Sequence, residues 1–305
     1  MSEPKILGIG VATMDIYVNQ KRMYPGGNEY NIACQATNCG ARAGFLGVFA
    51  DDQAGALLEE TLVHIGVDCS RSHHESGSSG YSLVELKSDG DRVFLDWNKQ
   101  GVTDLYPIMF NDEEMEYVKS FDVSCLGRCA SVDLEKIKYL HNEGVVLCYD
   151  FHAAFSDEDI ENIAPLIRYA FFSCSHLDET GTKSVLKKAV SCGCSIAVGT
   201  RGSEKFYAYD GETYYEQEPF KVKARDALGA GDSFIAAFLY SVLASRSDAG
   251  STHQEKIQKA LVYAARHAAR VVMVDGSTGV YFDVDPKRLD EIINFPESKN
   301  FSINH

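Results

Sequence analysis

Positive charge and long apolar runs are what this chain of 305 residues is short of. Its 29 Lys and Arg stand against 44 Asp and Glu, for a formal net charge of -15. That balance excludes nucleic acid and anionic membrane surfaces as partners, because their phosphates would be repelled. It does not exclude ATP, since a few local amides and cations hold phosphates inside an acidic protein. No apolar run reaches membrane-spanning length, and the start Met1-Ser-Glu-Pro-Lys5 lacks the basic and long-apolar pattern of a secretion signal. A cytoplasmic location is expected. Cysteine pairs at framework or metal spacing are also missing. The nine cysteines are scattered, and Cys192-Gly-Cys194 has neither the two-residue spacer nor the second pair of a zinc knuckle. Reduced thiols are expected. Internal repeats and low-complexity segments are absent.

What remains is a globular composition, 45% hydrophobic and 24% charged, in a chain long enough to bury a large core. Lys5 to Gly10 reads as a short buried strand. Asn28 to Gly40 carries Ile32, Ala33 and Ala36 at helical spacing and stops at a glycine. Ala43 to Phe49 reads as a strand and Gly55 to Gly66 as a helix. The alternation predicts a parallel sheet covered by helices. It resumes after Tyr117, with strands at Val123 to Leu126, Val145 to Asp150, Ala170 to Cys174 and Ser195 to Thr200. Phe206 to Tyr215 reads as a hairpin turning at Asp210-Gly211. Helices at about Ala230 to Ser245 and Gln254 to Val274 close the core. Ile16 to Met23 and Tyr81 to Trp97, the latter turning at Ser88-Asp-Gly-Asp91, alternate polar with apolar residues and predict an antiparallel flap. Domain organisation is expected to be one unit over residues 1–305, with the flap drawn from about 12–25 and 77–103.

Two glycine turns open helices. Gly229-Ala230-Gly231-Asp232 precedes the apolar run Phe234, Ile235, Ala237, Phe238. Small residues there let backbone N–H groups converge at a helix N-terminus, where the dipole favours an anion. Asp232 then stands where an alcohol must lose its proton. A plain glycine turn with a first-turn acid is the alternative. Gly26-Gly27-Asn28, followed by Asn31, offers amides and two carboxamides to sugar hydroxyls, or an ordinary helix start. Asp15 is a sugar ligand or a turn residue. His73-His74, in a polar Ser/Gly-rich stretch, is expected at the solvated surface, and Asp51-Asp52 caps the following helix. Trp97 stacks on a substrate or makes a lid contact.

Taken together, the Gly-Gly-Asn turn and the run Asp226-Ala-Leu-Gly-Ala-Gly-Asp232 resemble the ribokinase-like (PfkB) carbohydrate kinases, in the family's order from Ile6 to about Gly279. Met14-Asp-Ile-Tyr17, Gly26-Gly-Asn28, Asp91-Arg-Val-Phe94 and Tyr149-Asp-Phe151 look more narrowly like fructoselysine 6-kinases. The resemblance implies a three-layer α/β/α sandwich with a small β-sheet lid, and an ATP- and Mg²⁺-dependent kinase of a primary hydroxyl on a ketose or fructosyl-amine. It implies Asp232 as general base, with Gly229, Ala230 and Gly231 as the anion hole. Asp15, Gly27, Asn28 and Asn31 would bind sugar, with Arg92 reaching in from the lid. Thr200 and Gly202 would lie along the nucleotide phosphates, with His267 and Gly276 bordering adenine. Asp226 would organise the turn and a monovalent cation. A homodimer through the lids is a further expectation.

Several positions depart from the family pattern. Glu29 stands where a small residue is usual, Ala50 where a glycine is, Ala227 where Thr or Ser is, and Lys205 where a glycine often falls. Lys205 is a candidate partner of a nucleotide phosphate. The Asn-x-x-Glu that helps hold Mg²⁺ is missing; its segment reads Ser173 to Glu179, leaving Glu179 and Asp178 as metal candidates. Glu29 is read either as an amine-recognising carboxylate for a fructosyl-amino acid or as a first-turn acid favoured by the dipole. Other acceptors on the same fold (fructose, ribose, a keto-deoxy sugar acid, a nucleoside) and a catalytically silent binding relative remain alternatives. A P-loop kinase is excluded by the lack of Gly-x-x-x-x-Gly-Lys-Ser/Thr. A dinucleotide dehydrogenase is disfavoured because Gly8-x-Gly10 is not completed by a third glycine.

Overall fold

The computed structural model describes residues 3–87, 90, 92–99 and 101–285. The predicted turn at Ser88 to Asp91, Gly90 apart, and everything after Asp285 lie outside the described residues.

The main sheet starts with β1 (Lys5–Gly10). After an excursion through β2 (Thr13–Tyr17) and β3 (Arg22–Gly26), the chain enters α1 (Asn28–Cys39) and returns as β4 (Arg42–Ala50), parallel to β1. Next come α2 (Gln53–Ile65), the short β5 (His73–Glu75), β6 (Gly80–Leu86) and β7 (Arg92–Trp97). Helices α3 (Val102–Leu105) and α4 (Asp112–Lys119) lead to β8 (Val123–Gly127), α5 (Leu134–Asn142), β9 (Leu147–Asp150), α6 (Asp157–Ile163) and β10 (Tyr169–Ser173). Then follow α7 (Glu179–Cys192), β11 (Ile196–Arg201), β12 (Glu204–Tyr209), β13 (Tyr214–Gln217), α8 (Ala230–Ala244), α9 (His253–Val271) and β14 (Phe282–Asp283).

Nine strands form one sheet in the order β13-β12-β11-β10-β9-β8-β1-β4-β5. It is parallel from β11 to β5, with β12 and β13 added antiparallel. Its strands are apolar on both faces because both are covered. Side chains alternate with the period of two that a strand imposes. Cys148, Tyr169 and Phe171 face one way, with α1, α2, α8 and α9. Leu147, Tyr149, Ala170 and Phe172 face the other, with α4 to α7. Helix α8 is buried on nearly all sides, as its apolar sequence requires.

The second sheet runs β14-β3-β2-β6-β7. It differs from the predicted flap in three ways. Ile16 to Met23 is not one strand but the middle of the β2–β3 hairpin. The central β2–β6 pair is parallel, because the two strands are joined through β4 and α2 rather than by a tight turn. The strand β14 also joins its edge, from a stretch with too little alternation to be legible. His73 and His74 are not simply solvated either: β5 pairs with β4, and their rings meet Glu114 and Glu59. Asp52 caps α2 as expected, accepting the Gly55 N–H at 2.7 Å, and also binds Ser79. All nine cysteines are free thiols.

Candidate active site

The carboxyl ends of the parallel strands meet the second sheet over a cavity of about 570 Å³. Such a crevice is where open α/β sheets place ligands. Its floor carries Gly27, Asn28 and Asn31 from the start of α1 and Gly229 and Asp232 from the start of α8. Its roof is the second sheet, with Asp15 from β2, Tyr81 and Ser82 from β6, and Arg92, Phe94 and Trp97 from β7. Asp104 and Lys99, both exposed, also line it.

The start of α1 reaches the floor because residue 27 is a glycine. Gly27 has φ 112, and a Cβ there would lie 2.2 Å from the Val11 carbonyl. The start of α8 is set by Gly229, a left-handed N-cap with φ 71 that donates no side-chain cap. In front of Gly231 there is open space, with no heavy atom within 4 Å of where a Cβ would stand. An uncapped helix N-terminus with room before it fits an anion.

Asp232 lies in the first turn of α8 and is buried. Asn28 donates to one of its oxygens at 3.1 Å and Asn31 to the other at 2.8 Å. The two carboxamides read as sugar grips therefore hold Asp232 here. Burial pushes the Asp232 carboxyl up to about 6, Asp150 adds to the rise, and the Asn31 and Asn28 donors oppose it. At neutral pH it is ionised yet weakly held as an anion, which suits a general base. Asp15 sits in mid-strand β2, not at a turn, and is likewise pushed up to about 6 by burial, against the pull of Arg92.

Asp226 is fully buried behind this floor. It accepts the Tyr17 hydroxyl at 2.8 Å, the Leu228 N–H at 2.9 Å and the Gly276 N–H at 2.8 Å. It organises the turn, as expected. Both its oxygens accept from these donors.

Glu29 is corrected. It does not line the cavity; it is a first-turn acid of α1, as the second reading had it, but its side chain is fully buried, with Oε2 accepting the Val11 N–H at 3.2 Å. Thr200 and Gly202 end β11, and Gly202 has φ 62 beside Ser175. The segment before α7 thus reaches Gly202, but Asp178 and Glu179 have other partners. Asp178 caps α7 on the Gly181 N–H at 2.7 Å, and Glu179 pairs with Lys183 at 2.5 Å. Among the described residues no group of three or more His, Cys, Asp or Glu is placed to hold a metal ion. The residues present do not fit a protein-bound Mg²⁺. Lys205 pairs with Glu216 and Glu218 instead of standing free for a phosphate. His267 is turned to Gln35 at 2.9 Å, and Gln35 bonds the Ser277 carbonyl at 2.6 Å.

Four contributors, Tyr17, Asp150, His152 and Asp104, carry little signal in the sequence. Tyr17 was quoted only as part of a motif. Asp150 ends β9 and His152 follows it; their one available signal is an acid at the carboxyl end of a parallel strand. Asp104, held by the Ser131 hydroxyl at 3.0 Å, had none.

The fold is that of sugar kinases of known structure. Ribokinase from Arabidopsis thaliana, complexed with ribose and ATP, superposes with TM-score 0.75 at 20% identity, covering 97% of this chain and 100% of that one. Fructokinase from Xylella fastidiosa with bound ATP gives 0.73 at 19% identity, covering 90% and 94%. The pfkB family carbohydrate kinase model matches residues 5–282, and the chain belongs to that family. It is a phosphotransferase acting on a sugar hydroxyl. Among named relatives, fructosamine kinase FrlD of Bacillus subtilis is 30% identical over 290 residues, 94% of this chain and 96% of its own length. Fructoselysine 6-kinase of Escherichia coli is 30% identical over 231 residues, 76% and 86% respectively. Among the described residues no helix is long and apolar enough to cross a membrane.

Proposed function

We propose that this kinase transfers the γ-phosphoryl group of ATP to a primary hydroxyl of a fructosyl-amine, with Asp232 as the general base. The observation that carries it is the placement of Asp232 on the cavity floor, held by Asn28 and Asn31, one residue beyond the open helix start at Gly231. Phosphoryl transfer depends on alignment and charge neutralisation, so one base and a cradle of amides are the parts a protein must supply. Gly229, Ala230 and Gly231 form the cradle, Asp15 and Arg92 hold the sugar, and Thr200 and Gly202 border the nucleotide. Among the described residues no three carboxylates are grouped to hold a metal ion, so an Mg²⁺ ion would be carried on the nucleotide phosphates. The reaction belongs to the cytoplasm, in a homodimer joined through β7, whose Phe94 and Trp97 are 52% and 58% exposed.

The amine falls to a different carboxylate than Glu29. Asp104, exposed in the lining of the cavity, can meet an ammonium on the part of a substrate that extends past the sugar. The fructosamine and fructoselysine kinases among the relatives support an acceptor of that kind. An ADP-release assay over fructoselysine, fructose and ribose tests this. Fructoselysine is expected to lead in kcat/KM by at least about tenfold, with Asp104→Asn removing most of that lead. Equal values for fructoselysine and fructose would assign the chain a plain ketose.

A further inference from the structure

Glu29 and His152 are left unused by this reading, yet each presents a buried polar atom without a protein partner, Oε1 and Nε2 respectively. Both atoms face Gly127 at the end of β8. A Cβ there would stand 2.8 Å from Glu29 Oε1 and 3.3 Å from His152 Nε2. Gly10, at the end of β1, makes room in the same way, because a Cβ on it would lie 2.4 Å from Glu29 Oε2. The two glycines thus open a slot that the carboxylate fills. On the far side of the imidazole, Nδ1 lies 3.5 Å from Asp150 Oδ2, and the His152 N–H donates to Asp150 Oδ1 at 2.9 Å. His152 has φ 54, a conformation uncommon outside glycine that is kept where surrounding structure demands it.

We propose that Glu29 and His152 share one proton across Gly127, and that this neutral pair anchors the start of α1 so that Asn28 and Asn31 hold Asp232 for catalysis. The proposal rests on Asp232 as base and makes Glu29 and His152 positioning residues for it. Whichever partner carries the proton, the pair is neutral: a protonated carboxyl beside imidazole, or a carboxylate beside imidazolium. The two atoms make no direct hydrogen bond, so the shared proton is carried by one bridging water or after a small side-chain rotation. Without that proton, Glu29, Asp150 and Asp232 would place three carboxylates in one enclosed region, a costly arrangement at low dielectric. The other groups facing the pair do not relieve it. Arg128 is engaged with Asp159 at 3.1 Å. Cys129, pushed up to about 11, stays a thiol. Tyr149 and Cys148 on β9 are both shifted upward by burial and remain neutral. Burial also pushes the Glu29 carboxyl up to about 8, in keeping with a retained proton. Asn28, Glu29 and Asn31 share the first turn of α1, so a charge released there moves the groups that grip Asp232.

Histidine NMR of the full chain tests the sharing without relying on turnover, so its failure is separate from any failure of the kinase reading. The His152 signal is identified by its loss in His152→Gln and followed from about pH 5 to about pH 10. The midpoint of His152 is expected to fall by at least about one unit in Glu29→Gln. An unchanged midpoint would overturn the proposal. Should Glu29→Gln not fold, the Glu29 carboxyl carbon is followed in the native chain and in His152→Gln. Its midpoint, pushed up to about 8 in the native chain, is expected to move by at least about one unit when His152 is removed, and an unmoved midpoint would overturn the proposal. In turnover, Glu29→Gln is expected to lower kcat roughly ten- to a hundredfold with little change in the KM for sugar. A change confined to melting temperature would mark the pair as merely structural and count against the proposal.

Discussion

The Tyr17 hydroxyl donates to the Asp226 carboxylate at 2.8 Å, across 209 positions of sequence. This bond joins β2 of the smaller sheet to the loop that opens α8. Asp226 in turn fixes Leu228, next to the Gly229 cap, and Gly276. The smaller sheet and the anion cradle are therefore set by one buried carboxylate. Tyr17→Phe removes a donor from that buried charge and is expected to cost about 1–3 kcal/mol. Urea denaturation measures the loss, and kcat is expected to fall with it because the cradle loosens.

Asp232 should govern the acid side of the rate profile. The active base is the ionised form, so kcat/KM is expected to fall as pH drops through about 6. Asp15 is held in the same range by burial, so the fall should be steeper than one proton allows. Asp232→Asn keeps the side-chain shape but cannot accept the substrate proton, and it turns an amide donor toward one of the two carboxamide donors. It is expected to lower kcat by about 10²–10⁴-fold with a modest change in the KM for sugar. Full turnover by Asp232→Asn in an ADP-release assay would remove it from the mechanism.

Much of this site could be read from residue order, and the unread parts have a common cause. The helix starts at Gly27 and Gly229 announce themselves because glycine, small residues and an acid fall in consecutive positions. Asp15 and Asp226 were visible as acids, but their settings depend on Arg92 and Tyr17, which reach them through the β-sheet pairing. Glu29 shows the limit best. In sequence it is a first-turn acid with a helix dipole to explain it. Its burial follows from Gly10 and Gly127, residues of two other strands, and no local pattern contains that information. The parallel β2–β6 pair and β14 were missed for the same reason, since both arise from long-range pairing. The metal segment was flagged by its missing asparagine, and here the structure adds that Asp178 is used as a helix cap.

Asp15 exchanges stability for function in a way pH can reveal. Its folded-state value, about 6, lies above the ordinary aspartate value of 3.8. A raised carboxyl contributes stability that is present below the unfolded value and lost as pH rises through the folded one. At pH near 7.5 the ionised group is a burden, partly offset by Arg92. Asp15→Asn is expected to raise stability there by about 1 kcal/mol, with the gain shrinking toward about pH 4. Melting curves at the two pH values check the sign, and the KM for sugar is expected to rise in the same variant.

Gly229 and Gly231 separate fold from chemistry within one cradle. Gly229→Ala forces a Cβ to within 2.6 Å of Ser277 at φ 71. It is expected to destabilise the protein by more than about 1 kcal/mol from backbone conformation alone, and to distort the start of α8. Gly231 has ordinary helical geometry and open space before it. Gly231→Ala should therefore hold or raise the melting temperature, since glycine in a helix costs about 0.5–1 kcal/mol relative to alanine. The added methyl projects into the space assigned to the transferring phosphoryl group. A stable variant with a raised KM for ATP and a depressed kcat is the expected result. Unimpaired kinetics in Gly231→Ala would move the phosphate site away from α8.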